Sequence, residues 1–497
     1  VSALFFFNSC RCAGVHAIFI DAIHVVIIMI YPLSFSEFKR YSARLGVLVL
    51  PILITQFCQA ALGVVDAIMA GRVSALDLAA VSIGSGIWLP LFLLTTGILI
   101  ATTPLIGEAV GQNRHHHVPH ITQQSIWAAG LIGLIGFVVV NMMPQVLPLM
   151  GVPENIQPKA AQYLHGVSFG FPAVAVYAVL RSYCEALGRP EPVTIISIAG
   201  LLADIPLNYI FIHGHFGMPA LGGAGCGVAT ALVLWINVLL LAAYTAFSKR
   251  HQFASTRFFY GFSKPSRTQI NKLLKLGIPI GIAIFFEASL FSLASLVISP
   301  LGEQAVASHQ VALSITSQLF MIPISVAMAL TIMVSKRFGE QNLAALQSVQ
   351  RTGLIWTLII ACLCMLGIWL FRPQLAAAFT DNPAVQQQAI HLLIFALGYQ
   401  LFDGWQVNIA GILRGMQDTT VPMWLTLFCY WLVALPLGTY LVRYTDVGAQ
   451  GFWMALVTGL FLAAILLTWR LRYQQRRLAR IWSASPQQYD DAVPANG

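Results

Sequence analysis

From Gly46 onward, apolar runs of about 20 residues alternate with short polar breaks. A helix rises about 1.5 Å per residue, so a run of that length covers a hydrocarbon core about 30 Å thick. The pattern predicts twelve membrane-spanning helices, at 46–70, 81–106, 121–143, 160–181, 192–213, 222–247, 275–298, 308–334, 352–371, 387–413, 420–441 and 448–470. Pro51, Pro90, Pro206, Pro279, Pro323 and Pro436 fall inside these runs and mark expected bends. Membrane bundles tolerate such breaks because neighbouring groups satisfy the freed backbone. Residues 1–45 precede the first run as an amino-terminal extension. Its stretch from Ala13 to Phe35 is apolar but interrupted by His16, Asp21 and His24. It reads as a thirteenth, peripheral helix or, the reading taken, as sequence upstream of a start at Met29. The longest break, 248–274, is basic and reads as a linker between a first lobe (46–247) and a second lobe (275–470). The segment 471–497 reads as a basic, disordered tail.

Composition agrees with a polytopic membrane protein: 58% of residues are hydrophobic and 9% charged, against about 25% charged in a soluble domain. The net charge of +9 raises nucleic acid as a partner, and its distribution argues against one. With the amino terminus inside and the loops alternating, 22 of the 27 Lys and Arg lie on the inner side. Arg72, Lys159, Arg372 and Arg443 lie outside, and Arg11 precedes the spans. That asymmetry is a topology signal. The eight cysteines show no disulfide or zinc spacing.

The two halves match at an offset of about 228: Pro51 falls on Pro279, Phe57 on Phe285, Leu62 on Leu290 and Gly111 on Gly339. The stretch 107–113, read as a loop, faces 335–341. Six spans per half is an even number, so both halves start from the same side. The repeat is therefore parallel, and two such bundles enclose a cleft about which they can rock. The fold class is all-α integral membrane, with twelve helices in two pseudo-symmetric six-helix lobes.

Four acids fall well inside spans: Asp66, Asp204, Glu287 and Asp403. A charge at that depth costs ~2.5–3.5 kcal/mol on insertion scales, so each is a functional candidate facing a cavity or a partner. Glu287 sits about halfway along the run from Gly277 to Pro300. Tyr399 and Asp403 are four apart and share a helix face. If the seventh and tenth spans pack together, Asp403 approaches Glu287. Two carboxylates sharing a low-dielectric site do not both ionise freely; one keeps a proton, or a cation sits between them. Oxygen ligands with a phenol nearby suit Na⁺. In the first half Gln59 occupies the repeat position of Glu287, and Asp66 lies seven residues further on. Asp204 and Asn208 are again i, i+4.

The pieces P-I-L-I-T-Q (51–56), V-D-A-I-M-A-G (65–71), D-L-A-A-V-S (77–82), G-C-G-V-A-T (225–230), F-F-E (285–287), S-P-L-G-E-Q-A-V-A-S-H-Q-V-A (299–312) and L-R-G-M-Q-D-T (413–419) stand in order along the chain. Together they resemble the multidrug and toxic compound extrusion (MATE) family, in its NorM-type bacterial branch, over about 46–473. The charge asymmetry places both termini in the cytoplasm. The resemblance implies a twelve-helix, two-lobed, cation-coupled exporter of the bacterial inner membrane, expected to be a monomer. It would exchange Na⁺ or H⁺ for cationic or zwitterionic drugs and need no further cofactor. It also carries over Asp66, Glu287 and Asp403 as the acids of the first, seventh and tenth helices, with Tyr399 at the cation site. At Asp204 the branch is expected to carry Asn, so an added acid there points to proton handling in the first lobe.

Other features carry less. His115, His116, His117 and His120 read as a solvated cluster, and His309 as a structural hydrogen-bonder. The glycines at 222–227 read as close packing. No G-x-x-x-x-G-K-S/T occurs, so ATP is not expected to drive transport through this chain. Gln59, Phe285, Phe286 and Met321 are candidates to line a substrate pocket. Two alternatives remain beside the exporter. A flippase for a lipid-linked saccharide would need basic residues inside the spans to hold a pyrophosphate. A membrane-embedded enzyme would need a catalytic set at the membrane surface, and no His/Asp or Ser/His set stands out.

Overall fold

A computed structural model describes residues 33–259 and 261–484. The expectations for Met29, for a thirteenth helix ahead of it and for the end of the tail lie outside those residues. Among the described residues the structure is helical and contains no strand. The first lobe holds α1 (Phe35–Val73), α2 (Ala75–Leu99), α3 (Thr102–Gly111), α4 (Val118–Met142), α5 (Gln157–Ser168), α6 (Phe171–Ala186), α7 (Glu191–His213) and α8 (Gly225–Phe247). α2 with α3 and α5 with α6 each make one span. A short turn of helix, α9 (His251–Ala254), lies in the linker. The second lobe holds α10 (Arg267–Ile298), α11 (Glu303–Gly339), α12 (Leu343–Ala377), α13 (Pro383–Gly415), α14 (Thr420–Leu427), a π-helical segment Phe428–Ala434, α15 (Leu435–Tyr444) and α16 (Ala449–Ala484).

Among the described residues ten units are long and apolar enough to cross a bilayer, and the bent pair α5–α6 makes an eleventh. α13 has 33 residues, enough to span, but is more polar than these eleven. It carries Gln400, Asp403, Gln406, Asn408 and Arg414. α13, the tenth span in chain order, brings the count to twelve and carries the candidates Tyr399 and Asp403.

Several boundaries differ from the sequence expectation. α1 begins at Phe35, inside the expected extension, where Ser34 and Glu37 form a capping box. α10 begins at Arg267, inside the expected linker. The tail, expected to be disordered, continues α16 to Ala484. Residues 470–484 contain no Gly or Pro and are rich in Arg, Leu, Gln and Ala, all helix-compatible. Leu471 is buried there, and Leu478 and Trp482 pack on the second-lobe core. The stretch 107–113 is helical as far as Gly111 rather than a loop. The fourth span bends by 42° between Ser168 and Phe171, just ahead of Pro172, whose ring removes a backbone donor. In the eleventh span Pro436 cannot donate to the Leu432 carbonyl. The adjacent Leu435 N–H instead reaches back five residues to the Tyr430 carbonyl, a π turn.

The lobes meet at the end that carries the basic loops. There α3 crosses α11, α2 lies along α10, and the start of α1 packs on α11 and α12. A Cβ on Gly111 would collide with the Lys336 carbonyl, and one on Gly339 with that of Glu108, so this crossing needs glycine. Glu108 accepts from Gln417 of the second lobe at 2.7 Å and pairs with Lys272 at 3.6 Å. Trp356 donates to Ser42 at 3.0 Å. The linker is strapped to α4. Gln123 donates to the Phe258 carbonyl at 2.6 Å, and Gln124 accepts from the Ser266 N–H at 2.6 Å.

Candidate functional site

Between Gly281 and Leu290, both buried, α10 carries no buried residue. Every residue from Ile282 to Ser289 is half-buried, as in a helix bordering a cleft. Glu287, Phe285 and Phe286 lie on this stretch, and Met321 on α11 is half-buried as well.

Three helices build a polar cluster in the first lobe. α1 supplies Asp66, α7 supplies Asp204 and Asn208, and α8 supplies Thr230. Asn208 Nδ2 donates to Asp66 Oδ1 and to Asp204 Oδ2, each at 2.8 Å. Two carboxylate acceptors fix this amide with its NH₂ toward them. Thr230 Oγ1 donates to Asp66 Oδ2 at 2.9 Å. Asp204 and Asn208 are wholly buried, and their remaining side-chain oxygens have no hydrogen-bond partner among the described residues.

The second lobe repeats the device with different parts. Gln406, three residues after Asp403 on α13, donates through Nε2 to Glu287 Oε1 and to Asp403 Oδ1, both at 3.3 Å. α10 and α13 thus bring their acids onto one amide. The Tyr399 hydroxyl lies beside Asp403. Tyr399 packs edge-on against Trp453, whose Nε1 donates to His309 Nδ1 at 3.2 Å. His309 is therefore hydrogen-bonded behind the cluster.

No lysine or arginine forms an ion pair with these four carboxylates among the described residues. Arg414, in the last turn of α13, is within electrostatic reach of Glu287. Carboxylates held in pairs inside membrane-spanning helices without a bonded base call for a proton or a metal cation to offset their charge.

Other expectations are corrected. Arg181, counted among the inner loop charges, lies within α6 and is only 9% exposed. Its guanidinium donates to Glu185 Oε1 at 2.7 Å, to Gln56 Oε1 at 2.9 Å and to Gln59 Oε1 at 3.3 Å. It also reaches the Met328 sulfur of the second lobe at 3.5 Å. Gln59 therefore belongs to this node and not to the Asp66 cluster. Glu185 and Asp77 join the buried acids, but each has a basic partner, Arg181 and Lys159 respectively. His115, His116 and His117 are exposed.

Sequence reasoning missed Gln406 and Thr230. The i, i+3 spacing to Asp403 was a usable signal for Gln406. Thr230 closes the G-C-G-V-A-T stretch, whose glycines drew attention to packing alone.

A sequence profile of the MatE family matches residues 51–210 and 279–440, two segments beginning 228 residues apart. The chain is similar to a protein of Acinetobacter baylyi described as a probable multidrug resistance protein NorM. Identity is 51% over 445 residues, 90% of this chain and 99% of that one. Among solved structures, the fold matches the eukaryotic MATE transporter AtDTX14 with a TM-score of 0.80 at 20% identity, covering 90% of this chain and 100% of that one. It also matches an outward-facing multidrug resistance MATE family transporter of the MOP superfamily, with a TM-score of 0.78 at 21% identity over 88% and 96% of the two chains.

Proposed function

The chain belongs to the MATE family of multi-pass membrane transporters and is no enzyme, and from that premise we propose that it is a cation-coupled antiporter for organic cations and zwitterions. The observation that carries this reading is the arrangement repeated in both lobes: two carboxylates on membrane-spanning helices joined by one amide, with no bonded base among the described residues. Such pairs favour a bound cation or proton, and acidic intramembrane charge suits cationic cargo.

In this reading the basic end faces the cytoplasm of a bacterial cell, with both termini inside and the protein acting as a monomer. Na⁺ or H⁺ enters from outside and occupies the Glu287–Asp403 pair, the Asp66–Asp204 pair, or both. Occupancy favours the state that releases drug outward, and the emptied state takes drug from the cytoplasm. Exchange requires cation and drug to prefer opposite states of the two lobes. The glycine crossing of α3 and α11 is the natural closure on the cytoplasmic side, and Phe285, Phe286 and Met321 offer apolar surface along the cleft.

The test is ethidium efflux from proteoliposomes under a Na⁺ gradient alone and then under a pH gradient alone. At least one must drive uphill ethidium movement. Efflux that follows only the ethidium gradient, whatever the cation gradient, would remove antiport.

A further inference from the structure

Tyr430 is 3% exposed, yet its hydroxyl has no hydrogen-bond partner among the described residues. A buried phenol normally finds one, so a bare hydroxyl points to a partner that comes and goes. Tyr430 lies within electrostatic reach of Glu287, Asp403 and Tyr399. In the same cluster Asp403 Oδ2 also lacks a hydrogen-bond partner. Two unsatisfied oxygens therefore occur in one buried, acidic neighbourhood.

The backbone explains how Tyr430 comes to be there. It lies in the π-helical segment Phe428–Ala434. The wider turn inserts an extra residue, and on a 3.6-residue helix one residue of offset rotates a side chain by about 100°. The segment is fastened to α10 next to the acid. Trp431 Nε1 donates to the Phe286 carbonyl at 3.2 Å, and its ring meets Phe286 edge-on at 5.2 Å. Phe286 immediately precedes Glu287. Position, burial and fastening all belong to the same π turn.

We propose that the π turn presents the Tyr430 hydroxyl as a ligand for a dehydrated sodium ion seated with Glu287 and Asp403. The inference rests on the second-lobe reading above and adds to it one residue, Tyr430, and the choice of Na⁺ over H⁺ at that site. The set is made of hard oxygens, carboxylate and phenol, as a small hard cation requires. A sodium ion bound there takes up the free Asp403 and Tyr430 oxygens together and offsets the charge of the carboxylate pair.

The experiment is ²²Na⁺ binding to purified full-length protein in potassium-free choline buffer, comparing wild type, Tyr430→Phe, Trp431→Phe and Glu287→Gln. Tyr430→Phe keeps the ring and removes one oxygen. Its Na⁺ half-saturation should rise about five- to tenfold, the size of one lost polar contact. Trp431→Phe loosens the fastening and should shift half-saturation in the same direction by less, and Glu287→Gln should abolish saturable binding. Wild-type half-saturation in both Tyr430→Phe and Trp431→Phe, with Glu287→Gln inactive, overturns the role of Tyr430 and leaves the second-lobe site standing. A wild type that binds no Na⁺ overturns this inference and leaves a proton-coupled site. Normal binding in Glu287→Gln removes the second-lobe site itself.

Discussion

Glu287 and Asp403 share the Gln406 amide, so neutralising either acid changes the whole cluster. Glu287→Gln and Asp403→Asn are each expected to abolish drug resistance in cells while the protein still reaches the membrane, checked by growth on ethidium beside a membrane immunoblot. Normal resistance in both would take the second lobe out of the mechanism. Arg181 makes a different prediction. Arg181→Ala leaves Glu185 buried without its base, a loss of about 3–5 kcal/mol for a broken buried pair. A lowered melting temperature in detergent, largely restored in the Arg181→Met/Glu185→Leu double variant, is the expected outcome; an unchanged melting temperature in Arg181→Ala would contradict it. At this scale the four acids were legible because a carboxylate inside an apolar run is costly and therefore visible. Their neutral partners were not. Gln406, Thr230 and Tyr430 carry no charge to mark them in a span, and only tertiary packing reveals what they bond.

The crossing of α3 and α11 shows what a few small residues do for whole elements. Gly111 meets the Lys336 carbonyl, so a larger side chain there must push the two lobes apart. Gly111→Val is expected to open the basic end. A cysteine placed at Gln417 should then react several-fold faster with a membrane-impermeant maleimide in inside-out vesicles than it does in the parent; equal rates would show that this crossing does not close the cleft. Eleven of the spans were legible because a helix in lipid is long and apolar, and the tenth, α13, by its length between polar breaks despite its polar residues. Their ends were not. α1, α10 and α16 all extend beyond the hydrocarbon, where hydropathy falls silent but helix propensity, capping and packing persist. The π turn was half visible: Pro436 marked a bend, and nothing local told a kink from an inserted residue.

For the whole molecule, the offset of 228 already implied two lobes of similar plan. The structure adds that the lobes use that plan differently. The first lobe draws its cluster from the first, fifth and sixth spans, and the second lobe from the seventh and tenth, with Tyr430 of the eleventh close by. Asp66 sits seven residues, about 10 Å, further along its helix than the repeat position of Glu287. Two carboxylate pairs at different depths give the rocking of the lobes two places to sense a cation. Coupling is reciprocal in free energy, so a drug gradient must be able to drive the cation. The most direct measurement imposes an ethidium gradient on proteoliposomes holding equal Na⁺ and pH on both sides, and follows ²²Na⁺ and internal pH. The account predicts uphill movement of Na⁺ or H⁺ against the ethidium flow, absent when all four carboxylates carry Asp→Asn or Glu→Gln changes. Ethidium movement with neither cation displaced would contradict it.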